Sequence, residues 1–198
     1  MTARRIGTET SKTRAALLDA AERLMVDGGY AAVTSRRVAA EAGVKPALVH
    51  YYFRTMDDLF LALYRRGAQR GLERQEMVLQ SPQPLWALWD FSREPYGTNL
   101  TMEFVALANH RKEIRAEITA SAERFRSRQV EALSGILAGY DLDSDDWPPV
   151  VIAVLMSSVA RFLVIEAETL EMSTGHDDTV AVVERLLRRL EGDRAPTA

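Results

Sequence analysis

The chain has 198 residues, enough for one large domain or two small ones, with the apolar content of an ordinary globular protein. It has no cysteine, which excludes disulfides and thiolate metal sites and fits a reducing cytosol. The formal net charge of −3 argues against a general nucleic-acid coat, yet residues 1–55 hold nine Lys and Arg against five Asp and Glu, a balance of +4, which leaves −7 for the rest.

In chain order, residues 1–11 read as a basic arm in which Arg4 and Arg5 are placed to reach a phosphate or a minor groove. From Lys12 the pattern is helical. Ala16, Leu17, Ala20, Ala21, Leu24 and Met25 form one stripe, and Gly28-Gly29 ends it. Ser35 to Tyr52 predicts two short helices joined at Gly43. Val38, Ala39 and Ala42 share one side of the first, Val49 and Tyr52 one side of the second. Thr34 has the hydroxyl to cap the first helix. Gly43 can take the left-handed conformation of the turn, and Pro46 fits the first turn of the second helix. This is the helix-turn-helix pattern, whose second helix enters the major groove of DNA; an αα-hairpin inside some other helical protein is the plain alternative.

Thr55 is a candidate cap for the next helix, with Asp57 and Asp58 in its first turn and Leu59, Phe60, Leu63 and Tyr64 on its apolar side. A loop at 81–84 leads to a short helix from Leu85 to Phe91. A second break is expected over 93–97, then a helix from Asn99 to Ala108 and a long one from about Lys112 to Leu137. Trp147-Pro148-Pro149 opens the most apolar helix, to about Leu170. One of its stripes is Val151, Leu155, Ser158, Phe162 and Ile165, the other Ile152, Met156, Val159 and Leu163. A helix apolar on two sides must be covered on two sides, and its own bundle covers one, so the other predicts a partner. The last helix, capped by Thr174 or Asp177, repeats Val180, Val183, Leu187 and Leu190, a seam like that of packed bundles. The polar first dozen residues show no signal peptide. The longest uncharged apolar run, 148–160, is too short for a bilayer, so no membrane span is expected. No strand is expected: the fold class is all-α.

The head, from about Lys12 to Leu63, resembles the TetR/AcrR family of bacterial transcriptional regulators. The residues that carry the resemblance are Thr34-Ser35-Arg36, Val38-Ala39, Ala42-Gly43-Val44, Tyr51-Tyr52-Phe53 and Asp57-Asp58-Leu59. The body matches in layout, about six helices with the last two apolar. The resemblance implies a DNA-binding domain over 1–55 and a ligand-binding and dimerisation domain over 56–198. It further implies a cytoplasmic homodimer, a palindromic operator, and release from DNA by a small-molecule effector, repression being the family's usual mode. Two positions depart from the family pattern. Met56 stands where a phosphate-pairing lysine is usual, with Arg54 a substitute, and Lys45 stands where a hydroxyl often caps the recognition helix.

The expected DNA contacts are Arg4, Arg5, Lys12, Thr34, Ser35, Arg36, Lys45, Pro46, Ala47, Leu48, His50, Tyr51 and Arg54. Arg36 suits a phosphate or a guanine edge, and Ala47 and Leu48 suit a thymine methyl. Candidates for an effector pocket are Trp86, Trp89, Phe91, Met102, Phe104, Phe125, Met156 and Phe162, with Asn99, Asn109, His110 and Arg161 as polar anchors; aromatics at helical spacing are as readily plain core. The dimer interface is expected at Val151, Leu155, Ser158 and Phe162 of one helix and Val180, Val183, Leu187 and Leu190 of the other. An enzyme is the rival class, as is a helical ligand-binding protein without operator binding. The three histidines are far apart, however, and GxSxG, a Gly-rich phosphate loop and HExxH are all absent. No cofactor or metal is expected: His176-Asp177-Asp178 reads better as an acidic helix start than as a metal site.

Overall fold

The computed structural model describes residues 11–140, 142 and 145–195. The described residues form nine α-helices and no strand: α1 (Lys12–Gly28), α2 (Ser35–Glu41), α3 (Pro46–Tyr52), α4 (Met56–Leu79), α5 (Pro84–Ser92), α6 (Pro95–Ala108), α7 (Lys112–Ala138), α8 (Pro149–Thr169) and α9 (His176–Glu191), with one 3-10 turn at Tyr30–Ala32. The fold is therefore all-α, as the periodicity predicts.

The chain divides into two compact units. The first takes in the residues up to Gln69 together with Asn99–Ala120, the second Arg70–Thr98 and the residues from Ser121 onward. In the first, the stripe of α1 is closed over: Leu17, Ala20, Ala21 and Met25 are buried with Val38, Ala39, Val49, Phe53, Leu59, Leu63, Phe104 and Ile114. Each large side chain so buried contributes about 1.5–3 kcal/mol. Polar ties fix the same elements. Arg66 of α4 reaches Asp19 at 2.6 Å and Glu22 at 2.7 Å on α1, and the Tyr30 N–H donates to Glu103 of α6 at 2.7 Å. In the second unit, Leu85, Trp86, Leu88 and Trp89 of α5 pack with Leu133, Leu137, Ala153, Ala160 and Leu187.

Helix ends differ from expectation in two places. Helix α6 starts at Pro95 instead of Asn99, because proline at the first helical position gives up an N–H that has no intrahelical partner anyway. Helix α9 is preceded by neither Thr174 nor Asp177 but by Gly175, left-handed at φ 80°, with Asp177 and Asp178 in the first turn. At the end of α8 a non-glycine residue, Glu171, stands at φ 54°, while the Met172 N–H donates to Glu166 O at 2.9 Å. This turn favours glycine, and an acid beside a helix C-terminus is unfavourable as well. Glu171→Gly is therefore expected to raise stability by about 0.5–1 kcal/mol, net of the entropy glycine adds to the unfolded chain, as read by thermal or urea unfolding.

Helix α8 carries apolar residues on more than one side. Its 21 residues are long and apolar enough, by length and composition, to cross a membrane, and only 17% of its most apolar window is buried inside the chain. Ala153 and Ala160 face the second core, Val164 is buried, and Ile152, Met156, Val159 and Leu163 are half-buried against that core. Val151, Leu155, Ser158 and Phe162 are exposed, Leu155 by 56% and Phe162 by 57%. The α9 seam expected at the dimer interface turns inward instead: Leu187 is buried, and Val180, Val183 and Leu190 pack on the same core. The outward apolar residues of α9 are Val182 and Leu186.

Candidate nucleic-acid interface

The turn between α2 and α3 is built from hydrogen bonds that only a left-handed residue allows. Gly43 sits at φ 66°; its N–H donates to Ala40 O at 3.1 Å and the Val44 N–H to Ala39 O at 2.9 Å. These two bonds satisfy carbonyls that the end of α2 would leave bare, and the pattern needs glycine at its bend. At the other end of α2, Thr34 Oγ1 accepts from the Arg37 N–H at 3.3 Å. Pro46 opens α3, and α4 starts on a reciprocal cap: the Asp58 N–H donates to Thr55 Oγ1 and the Thr55 N–H to Asp58 Oδ2, both at 3.0 Å.

This framework fixes which side of α3 is free. Val49 and Phe53 are buried in the core. Lys45, Pro46, Ala47, Leu48, His50 and Tyr51 are exposed, as are Lys12, Thr34, Arg36 and Arg54, while Ser35 is half-buried. An exposed Leu48 and Tyr51 on a seven-residue helix leave apolar surface uncovered. Lys12, Arg36, Lys45 and Arg54 have no ion-pair partner among the described residues, whereas Arg23, further back on α1, pairs with Glu41 at 2.8 Å. Unpaired cations around an exposed helix are what a phosphate backbone requires. Sequence reasoning passed over Arg37, which is equally exposed and unpaired beside Arg36. Met56, at the position usual for a lysine, is half-buried against the first core, and Arg54 is the exposed cation next to it. Arg4 and Arg5 lie outside the described residues.

The expected pocket residues are not brought together within one unit. Met102, Phe104 and His110 belong to the first; Trp86, Trp89, Phe91, Phe125, Met156, Arg161 and Phe162 belong to the second. Trp86, Trp89 and Phe104 are core: α5 needs large apolar side chains to close the second unit, and Phe104 packs edge-on against Tyr64 with ring centroids 5.1 Å apart. Met102 and His110 are exposed. Phe91 stacks on Phe125 at 6.2 Å, and both are half-buried, as is Met156. Arg161 reaches solvent, yet burial of part of its side chain, and then the charge of Arg126, pull its guanidinium below the usual arginine range. No sequence pattern marks three buried polar groups in this unit, Gln75 Nε2, Ser81 Oγ and Trp89 Nε1, which lack a partner among the described residues. No cluster of three metal-ligating side chains occurs among the described residues.

A short capped helix, a glycine turn and a second helix whose exposed face is flanked by unpaired cations together define the helix-turn-helix class. The profile for "Bacterial regulatory proteins, tetR family" matches residues 17–63. The chain is 31% identical over 140 residues to the HTH-type transcriptional regulator BetI of Brucella melitensis, covering 65% of this chain and 69% of that protein. It is 44% identical over 61 residues to BetI of Rhizobium meliloti, of which it spans 30%. Among solved structures, a TetR-family transcriptional regulator from Rhodococcus sp. superposes with a TM-score of 0.72 at 19% identity, over 91% of this chain and all of that one. A transcriptional regulator from Saccharomonospora viridis, solved in complex with choline, superposes at 0.69 and 20% identity, over 91% of this chain and 95% of that one. The chain belongs to the TetR family of bacterial transcriptional regulators. These relatives are named as regulators, not as enzymes.

Proposed function

We propose that the protein is a ligand-responsive transcriptional repressor that reads a palindromic operator as a cytoplasmic homodimer. A small apolar or amphipathic effector releases it from the DNA. The observation that carries this reading is the bare face of α3, where Lys45, Ala47, Leu48, His50 and Tyr51 stand exposed on a turn fixed by Gly43. Residues 1–55 hold the DNA and residues 56–198 hold the effector and the partner copy.

The dimer reading rests on α8. An exposed stripe of Val151, Leu155 and Phe162 leaves more apolar surface than a single chain in water tolerates, and a second copy covers it by symmetry. Val182 and Leu186 of α9 extend the interface in place of the inward residues. The effector reading rests on the half-buried Phe91–Phe125 stack, on Met156 and Arg161 of the same unit, and on the unpartnered Gln75 and Trp89 donors, which suit an effector carrying a hydrogen-bond acceptor. The choline held by the Saccharomonospora regulator is a small molecule of the expected size class.

Selection of bound fragments from genomic DNA tests the reading. It is expected to return an inverted repeat whose half-site centres lie about 34–36 Å apart, or a multiple of that. Enrichment of no common sequence would overturn it. On the recovered site, Arg36→Ala is expected to weaken binding by about 1–3 kcal/mol, measured by fluorescence anisotropy.

A further inference from the structure

A groove of about 540 Å³ opens in the first unit between α1, the end of α3 and the N-terminal part of α4. We propose that it is a ligand site for a small amphipathic carboxylate, separate from any effector site in the body. Its volume falls in the range of small-molecule sites. Leu18, Phe53, Leu61 and Ala62 supply an apolar side, Arg14 and Arg66 supply guanidinium groups, and the Tyr52 hydroxyl, hydrogen-bonded to Ser11 Oγ at 2.7 Å, lies beside them.

Two of these donors are uncommitted in a way that calls for an acceptor. Arg66 spends its two terminal nitrogens on Asp19 and Glu22, but its Nε is buried with no hydrogen-bond partner. Arg14 has no carboxylate partner among the described residues; its guanidinium lies over the Phe53 ring, 5.2 Å from the centroid. The other charged side chains of the groove are already engaged. Asp58 caps the Thr55 N–H, and Arg65 pairs with Glu117 at 2.6 Å. An entering anion therefore meets the Arg14 guanidinium uncommitted to any carboxylate, and charge-assisted bonds to guanidinium are the strongest available to it. A hydrocarbon or aryl tail would lie on Leu18, Leu61 and Ala62. The occupant would touch Tyr52 and Phe53, the last residues of the recognition helix and its cap, so filling the groove bears directly on the element proposed to read DNA.

The test is a titration of the full-length protein with benzoate and with octanoate, followed by two-dimensional NMR at constant ionic strength. Benzamide and sodium chloride serve as controls. Saturable shifts are expected at Tyr52, Phe53, Leu61 and Ala62, with benzamide binding about tenfold or more weakly, as fits the loss of a charge-assisted bond. Arg14→Gln should lower the benzoate affinity by about tenfold, and Ala62→Leu, which fills the groove without touching its charges, should abolish the shifts. The proposal is overturned if no carboxylate gives saturable shifts there, if chloride or benzamide reproduces them, or if both variants bind as the parent does. None of these readouts involves operator DNA, so their failure leaves the regulator reading standing, and the reverse also holds.

Discussion

The double substitution Leu155→Asp with Phe162→Asp is expected to turn the proposed dimer into a folded monomer and to lower affinity for the proposed operator by about 10²-fold or more. Both side chains are more than half exposed in the single chain, so the charges disturb little within it. Across a two-fold interface, however, each carboxylate is duplicated and desolvated against apolar partners. A dimer reads two half-sites at once; a monomer reads one and loses the gain of simultaneous engagement. Sedimentation velocity and circular dichroism separate the outcomes: a smaller species with full helix content supports the assignment. A variant that still sediments as a dimer rules out this face of α8. The contrasting substitution is Leu187→Asp, which puts a charge into the second core and should unfold the chain instead.

Glu191→Ala is expected to cost about 2–4 kcal/mol of stability. Glu191 closes α9, yet its carboxylate serves as the N-terminal cap of α5. It accepts from the Leu85 N–H at 2.9 Å, the Trp86 N–H at 3.0 Å and the Tyr140 hydroxyl at 2.6 Å. Gln83 adds bonds to the carbonyls of Glu191 and Asp193, and Trp86 Nε1 donates to Gly192 O at 3.2 Å. Removal leaves two helix N–H groups and a phenol unsatisfied beside Trp86 and Trp89, where water enters poorly. Urea unfolding measures the loss; a change below about 0.5 kcal/mol would show the cap to be dispensable. The same contact has a pH signature. Burial first, then the hydrogen bond to Glu191 and its negative charge, raise the Tyr140 hydroxyl well above its usual range. The unfolded phenol ionises near pH 10 while the folded one keeps its proton. Its contribution is thus complete below about pH 10 and is lost as the pH rises further. Tyr140→Phe should flatten that alkaline decline.

Local features were legible in the chain. Thr34, Gly43, Pro46 and Thr55 each require a particular backbone geometry, and each stands where its chemistry predicts. The stripes of α1 and α8 were legible for a related reason, since 3.6-residue spacing tells that a face is apolar. Periodicity does not tell which neighbour covers the face. Val180, Val183, Leu187 and Leu190 form a seam that fits a partner copy or the chain's own core equally well, and it packs on the core. Trp86, Trp89 and Phe104 carry the same ambiguity between pocket and core. Contacts between residues far apart in sequence gave no signal: Glu191 on the start of α5, Glu103 on Tyr30, and the meeting of Arg14, Tyr52 and Arg66 at one groove.

The exposed face of α3, with Arg36, Lys45 and Arg54 around it, is proposed to bind duplex DNA by sequence. A titration of the DNA bordering the protein's own gene, repeated at rising salt with a scrambled fragment beside it, tests this directly. The expected result is tight binding at low salt that falls by about 10³-fold or more between 50 and 200 mM, as six or more phosphate contacts require, with the native fragment always preferred. Equal affinity for both fragments, or no retention of either at low ionic strength, would contradict it.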